Sequence, residues 1–366
     1  MMRSILCCSV LLLALSSVQA QFHTIDMPKR SPRVTETHTL GITKITLDYG
    51  SPALRGRDVW NDGTVPQKGE PYAWRAGADM NTTLSFDTDV TIEGQPLKAG
   101  TYGFHIIPDN DTYTLLFAHN NNQWGSYYLD VDQDVSLKVT VDPESCSGSE
   151  QLDFEFLNRT ENTVTIGLEW GEKRIPFTVG VDLDQTVVTH LRQELRGINT
   201  YHWQAWDDAA KWCLEHDTNL EEALSWAERS IAGGYYGFAA NKNPNNMLTK
   251  VRLLQKLNKK TEMDASLAEL AQLPMTDSQA NETTVFLLRQ SFYDTAFVVA
   301  NTALQQNPES WFLNLNRGLC HYFIGSKKKA LKDLDKAAAS VPDGFAKRMG
   351  EIRNEVASGT YKLPGA

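Results

Sequence analysis

Few residues in this chain combine the type and the spacing that chemistry needs. His105 lies in "TYGFHII" (101–107) and His119 follows "TYTLLF" (112–117), with the turn-rich tetrapeptide "PDND" between the two segments. The pattern predicts a hairpin that makes the two imidazoles near neighbours. Asp109 or Asp111 would complete a three-ligand metal site. A strand histidine satisfied by a neighbouring backbone group is far commoner, so no metal and no cofactor are expected. His105 with a carboxylate such as Asp79 or Asp109 would instead suit acid–base hydrolysis, provided the groups converge within hydrogen-bond reach. Asp87 and Asp89 alternate onto one face of a strand, as glycosidase carboxylates do, and as a solvated face of an acidic domain also does.

No phosphate loop, dinucleotide fingerprint, H-E-x-x-H or G-x-S-x-G occurs, and no catalytic residue is assigned. The aromatics carry more. Trp60, Trp74 and Trp124 fall outside the strand patterns beside Gly, Asn or Arg, with Arg55, Arg57 and Arg75 close in sequence. Arginine stacks on indole and forks onto carboxylates. These side chains therefore either line one binding surface or cap the core while the arginines pair with acids. Arg57, Trp74, Arg75, Asn81, His105 and Trp124 are the candidate ligand- or partner-contacting residues.

Two periodicities divide the chain. From 34 to about 181 the apolar residues mostly alternate. "ITKITLDY" (42–49) sets Thr43, Ile45, Leu47 and Tyr49 on one face, and 82–90 reads as a strand with Leu84 and Phe86 inward. "VSLKVTV" (135–141), "QLDFEF" (151–156), "TVTIGLEW" (163–170) and "RIPFTV" (174–179) continue the series. Eight to ten short strands between Gly, Pro, Asn and Asp clusters predict an antiparallel β-sandwich or jelly-roll-like domain over 21–185.

Beyond it the spacing turns helical. Trp203, Trp206, Ala210 and Cys213 share one helical face, as do Leu220, Leu224, Ala227 and Ile231. Ala296, Ala300, Ala303 and Pro308 recur 34 residues later as Ala330, Leu334, Ala337 and Pro342, which is the tetratricopeptide period. Gly318 fits that motif, whereas Arg317 and His321 occupy its Leu and Tyr slots. Residues 186–366 are expected to form an irregular tetratricopeptide-like array of three to four helix pairs.

Composition narrows the compartment and the partners. Residues 1–20 carry Arg3, a short apolar run and "VQA" before Gln21, the pattern of a cleaved export signal too short to span a bilayer. A secreted or periplasmic location follows, with no transmembrane segment. Cys7 and Cys8 leave with that segment, and Cys146, Cys213 and Cys320 form no metal-ligand spacing. Residues 21–185 hold 13 Lys+Arg against 25 Asp+Glu, a balance of −12, and 186–366 hold 21 against 20, a balance of +1. So acidic a half lacks the basic patch that nucleic-acid phosphates require. "KKKALKD" near Lys327 reads as an exposed helical face, and the triplets from Asn81, Asn110, Asn158 and Asn281 matter only in a glycosylating secretory route.

Taken together, "LDYGSPALRGRDVW", "PYAWRAGADMNTTLSFDTDVTIEGQPLKAGTYGFHIIP" and "NQWGSYYLD" resemble the bacterial exported domain-of-unknown-function family DUF 2911. The helical tail is similar to an extension that one subset of that family carries. The resemblance implies export and this two-part layout, and no activity. The family usually places Asn-Glu after "WRAGA"; here Asp79 and Met80 stand in those places, with Asn81 and Thr82 retained.

These readings predict a non-catalytic interaction protein, with a protein or peptide partner in the helical groove and a carbohydrate or peptide at the loop edge near Trp74. The alternatives are an exported hydrolase built on His105 and a nearby carboxylate, and a purely structural envelope protein.

Overall fold

The computed structural model describes residues 27–66, 73–109 and 111–364. The expected leader over 1–20 and Asn110 of the expected hairpin turn lie outside the described residues. The chain divides into two compact units, the first ending at Leu183 and the second beginning at Asp184.

The first unit is antiparallel β. Its strands are β1 (Arg33–Leu40), β2 (Thr43–Gly50), β3 (Thr82–Phe86), β4 (Val90–Ile92), β5 (Gln95–Leu97), β6 (Gly100–Asp109), β7 (Thr112–Ala118), β8 (Val135–Val141), β9 (Glu144–Leu157) and β10 (Thr163–Gly180). A six-stranded sheet runs β1-β2-β3-β6-β7-β8 and a four-stranded sheet runs β5-β4-β10-β9. Branched and aromatic residues at every second position give each strand one apolar face; Ile45, Leu47 and Tyr49 of β2 are fully buried. Phe104 on β6 meets Phe154 and Phe177 of the other sheet at 6.2 and 5.5 Å, so the two sheets share one core. The β6–β7 hairpin forms as its pattern predicts, with His105 opposite Leu116.

Two strand readings change. The run over 82–90 is β3 and then β4, which belong to different sheets. Leu84 and Phe86 do face inward. Asp87 and Asp89 sit at the crossing, where Asp87 accepts the Lys44 N–H and Asp89 accepts the Ala99 N–H and pairs with Lys98. They are turn-holding carboxylates on local donors, not a pair on one strand face. Conversely, "TVTIGLEW" and "RIPFTV" are a single strand, β10, with register shifts on either side of Gly171. Gly171 adopts φ +61, which lets the strand bulge and bend without ending.

The second unit is all helical: α1 (Leu183–Glu194), α2 (Trp203–Glu215), α3 (Leu220–Ala232), α4 (Pro244–Lys256), α5 (Lys260–Leu270), α6 (Asp277–Arg289), α7 (Tyr293–Gln306), α8 (Trp311–Phe323), α9 (Lys327–Ser340) and α10 (Asp343–Ser358). The helices pack in chain order from α2 to α5 and again from α6 to α10, and Asn243 and Thr276 close capping boxes on α4 and α6. The 34-residue offset maps onto α7 and α9, and its small residues Ala296, Ala300, Ala330 and Ala337 are all fully buried. Gly318 of α8 lets the α9 backbone approach closely, since a Cβ there would lie 3.2 Å from the Ala330 carbonyl oxygen. The departure at Arg317 is an ion pair. Its guanidinium forks onto Asp333 of α9 at 2.6 and 2.8 Å, and His321 lies 3.8 Å from the same carboxylate.

Cys146, Cys213 and Cys320 are free thiols. Burial pushes the Cys213 thiol up to about 11 and the Cys320 thiol up to about 12, so both behave as small core hydrophobes. Among the described residues no helix is long and apolar enough to cross a membrane.

Leu334 is fully buried between α8 and α9. Leu334→Ala is expected to cost about 2–5 kcal/mol through lost burial and the cavity left behind. Urea denaturation followed by far-ultraviolet circular dichroism checks it; a loss under about 1 kcal/mol would contradict the helix-pair packing.

Candidate functional site

The candidate residues gather where two loops of the β unit meet. Residues 73–81 form the first loop. Its start is fixed by Trp74, whose N–H donates to the Ile106 carbonyl at 2.7 Å and whose carbonyl accepts the Ile106 N–H at 2.8 Å. The loop then lies against β2 at two glycines. A Cβ on Gly50 would collide with the Ala78 carbonyl, and one on Gly77 would lie 2.9 Å from the Gly50 carbonyl oxygen. Arg33 holds the loop's far end by donating to the Met80 and Asn81 carbonyls at 3.0 and 3.1 Å.

The second loop follows β7 and is zipped to the first. Asn81 donates its N–H to the Gln123 carbonyl and accepts the Gln123 N–H on Oδ1, both at 3.0 Å. Gly125 donates to the Asp79 carbonyl at 3.1 Å, and Met80 pairs with Trp124 between them. Asp79 takes φ +64, a conformation that asparagine and aspartate tolerate better than other non-glycine residues.

Between the loops opens a cavity of about 370 Å³, lined among others by Arg57, Trp74, Arg75, Ser126, Tyr127 and Trp170. The Trp74 and Trp170 rings lie parallel within 8°, centroids 6.1 Å apart, and Trp60 meets Trp74 edge-on at 5.9 Å. Trp60 donates its indole N–H to the Trp170 carbonyl at 2.9 Å. Arg57, at the rim, spends Nε and Nη2 on the Leu54 and Ala53 carbonyls. Arg75 donates Nε to the Gly77 carbonyl at 3.3 Å. Among the described residues neither guanidinium forms an ion pair, although Arg57 is close enough to help hold the Asp62 carboxyl low, behind the larger effect of Thr64.

Behind the cavity wall, His105 is fully buried, and its Nδ1 is 2.7 Å from the Ser126 hydroxyl. Its Nε2 has no hydrogen-bond partner among the described residues. Burial drives the imidazole down to about 4, against an opposing pull from Asp134. It is therefore neutral near pH 7 and a poor general base, because proton transfer favours a pKa near the working pH. No carboxylate among the described residues bonds or pairs with it, so the expected partnership with Asp79 or Asp109 is not formed; its partner is a serine. Nor do His105 and His119 make a metal site, as the described residues contain no metal-binding cluster of three such groups.

The six candidates thus separate into three roles. Arg57, Trp74 and Arg75 line the cavity, with Trp74 set so deeply that only 5% of it is exposed. Its indole is first a core ring, the core-capping alternative of the two that the sequence leaves open. Asn81 and His105 are buried behind the wall, where they join the loops and orient Ser126. Trp124 is 54% exposed and is not among the lining residues. A second cleft holds Glu36, His38 and Asp153 near the Tyr49 hydroxyl, which contacts both carboxylates and links β2 to β9.

The β unit, with this loop pair, matches a known family. Residues 31–179 fit the family model of DUF2911, a protein family of unknown function. No curated protein matches the chain. Solved structures similar to part of it are YrrB, described as "a TPR protein with an unusual peptide-binding site", and MamA 41-end from Desulfovibrio magneticus RS-1. The first is 18% identical, covers 46% of this chain and 82% of its own, and has a TM-score of 0.30. The second is 15% identical, covers 43% and 89%, and has a TM-score of 0.27. Within the DUF2911 match, Ser126 and Trp170 went unsingled in the sequence. Ser126 stands two residues after Trp124 in "NQWGSYYLD", and Trp170 closes a strand; only the fold brings either to Arg75.

The low folded pKa of His105 makes a pH prediction. An unfolded histidine titrates near 6.5. Below that value the unfolded chain binds a proton that the folded chain refuses, so stability falls as pH drops from about 6.5 toward about 4. By pH 4.5 the loss from this group is about 2–3 kcal/mol. His105→Asn, which keeps a polar atom near Nδ1, is expected to remove that part of the slope. Urea midpoints at pH 7.5 and 4.5 compare the two proteins; an equal fall in both would contradict the assignment.

Proposed function

We propose that the protein is an exported, non-catalytic binding protein whose β unit receives a small ligand between Arg57, Trp74 and Arg75. The cavity carries this reading. At about 370 Å³ it falls in the range of small-ligand sites, and it sets two guanidiniums without ion-pair partners among the described residues against stacked indoles. Among the described residues the nucleophile–base contact nearby is Ser126 with His105, whose base is held neutral down to about pH 4 and has no third group orienting it. That contact fixes the hydroxyl; it does not activate it.

Ala78 lines the cavity and is half-exposed. Filling the space with Ala78→Phe is expected to abolish ligand retention while leaving the circular dichroism spectrum unchanged. Wild-type and variant protein are dialysed against a small-molecule extract, denatured, and the released compounds identified by mass spectrometry. Equal retention by both would place the ligand elsewhere.

A docking role for the helical unit has its own support. Tyr235 and Tyr236 are 79% and 84% exposed, and Tyr201 and Phe238 join them, with ring centroids 4.5 Å apart for Tyr235–Tyr236 and 4.9 Å for Tyr201–Phe238. These rings lie on the short 3-10 turns Ile198–Tyr201 and Tyr235–Gly237 and beside them, and Tyr236 holds φ +61. Exposed aromatic clusters of this kind mark protein-interaction surfaces, and a protein or peptide partner fits this one. Tyr235→Ser combined with Tyr236→Ser is expected to lose partners captured by the wild type in a pull-down from envelope extract; unchanged capture would sink the docking role.

A further inference from the structure

We infer that the ligand of the β-unit cavity is a small organic carboxylate with an apolar body. The inference rests on the ligand-binding reading above and adds the chemical class. In a segment, 21–185, where 25 acidic residues outnumber 13 basic ones, chance would line a surface cavity with carboxylates. This one has two arginines and no Asp or Glu among its described lining residues. With Asp62 close only to Arg57, and no ion pair to either guanidinium among the described residues, the site suits a negative charge that arrives with the ligand.

The hydrogen-bond inventory agrees. Arg57 has two of its nitrogens tied to carbonyls and offers Nη1, whose only partner is Thr64 at 3.5 Å. Arg75 uses Nε alone, so both terminal nitrogens remain for an acceptor. Trp170 lines the same cavity, is almost wholly buried, and its indole N–H has no acceptor among the described residues. That N–H is itself buried, so it reports on the cavity, while the donors open to a ligand are the guanidinium nitrogens. Donors thus predominate, and a carboxylate, which only accepts, matches a planar guanidinium fork.

Two further features separate a carboxylate from a phosphate. Phosphate sites draw on helix N-termini or glycine-rich runs of backbone N–H groups, and the described β unit holds no helix before Leu183. Pro52 and Pro66 also line the cavity among more polar groups, so it offers carbon contacts to an organic body that inorganic phosphate lacks.

The test is an NMR titration of the full mature chain labelled with nitrogen-15, reading the Trp170 indole N–H, assigned by its absence in Trp170→Phe. The probes are benzoate and 3-phenylpropionate, each against its primary amide, and inorganic phosphate. Both carboxylates are expected to shift the Trp170 signal and to bind about tenfold or more tightly than the matched amides, the scale of a charge-assisted hydrogen bond. Arg75→Gln is expected to erase that preference, and Arg57→Gln, at the exposed rim, to reduce it if Arg75→Gln fails to fold. Amides binding as well as the acids would overturn the carboxylate while leaving the ligand cavity standing. Phosphate moving the signal where the carboxylates do not would also overturn it. Silence from every probe would remove the carboxylate and the ligand cavity together.

Discussion

The β unit's loop architecture hangs on one inserted side chain. Trp74 joins β6 through two backbone hydrogen bonds to Ile106 while its indole lies parallel to Trp170 of the other sheet. A ring of this size contributes more through burial than any polar contact in the loop, and stacking adds roughly 0.5–1.5 kcal/mol. With the indole fixed, the next residue, Arg75, has little freedom in where it points. The two glycines then admit the loop onto β2, and Asn81 ties it to the loop that carries Ser126. The cavity is the space left between elements positioned for the core.

That origin explains the division between wall and floor. The wall donates: guanidiniums, and an indole N–H without an acceptor among the described residues. The floor is neutral, because burial keeps the His105 proton off near neutral pH. A charged imidazole behind Ser126 would need solvation that the core cannot give. A neutral one leaves the arginines as the charges among the described lining residues, and neither changes charge across the physiological pH range.

Much of this organisation is legible in residue order. Alternation gave the faces of β2 and the β6–β7 hairpin, since each depends on neighbours two residues apart. The 34-residue offset marked α7 and α9 because the small residues that let helices approach must recur wherever the packing recurs. Reading failed where the cause is distant in sequence. Nothing in "TVTIGLEWGEKRIPFTV" tells a bulge at Gly171 from a strand end, since a left-handed glycine serves both. The loop tryptophans left surface lining and core capping both open, and what buries Trp74 is Trp170, 96 positions away. Arg317 broke the tetratricopeptide pattern for a local reason: it forms an ion pair with Asp333 between α8 and α9, and His321, whose pKa burial lowers, lies beside that pair.

Arg57, Trp74 and Arg75 form one ligand site, on this view, and the most direct measurement is a crystal structure of the protein grown with 3-phenylpropionate. The expected result is difference density beside the Trp74–Trp170 pair, with the carboxylate within hydrogen-bond distance of Arg75 and facing Arg57. A cavity without such density, while the compound is held at another surface, would contradict it.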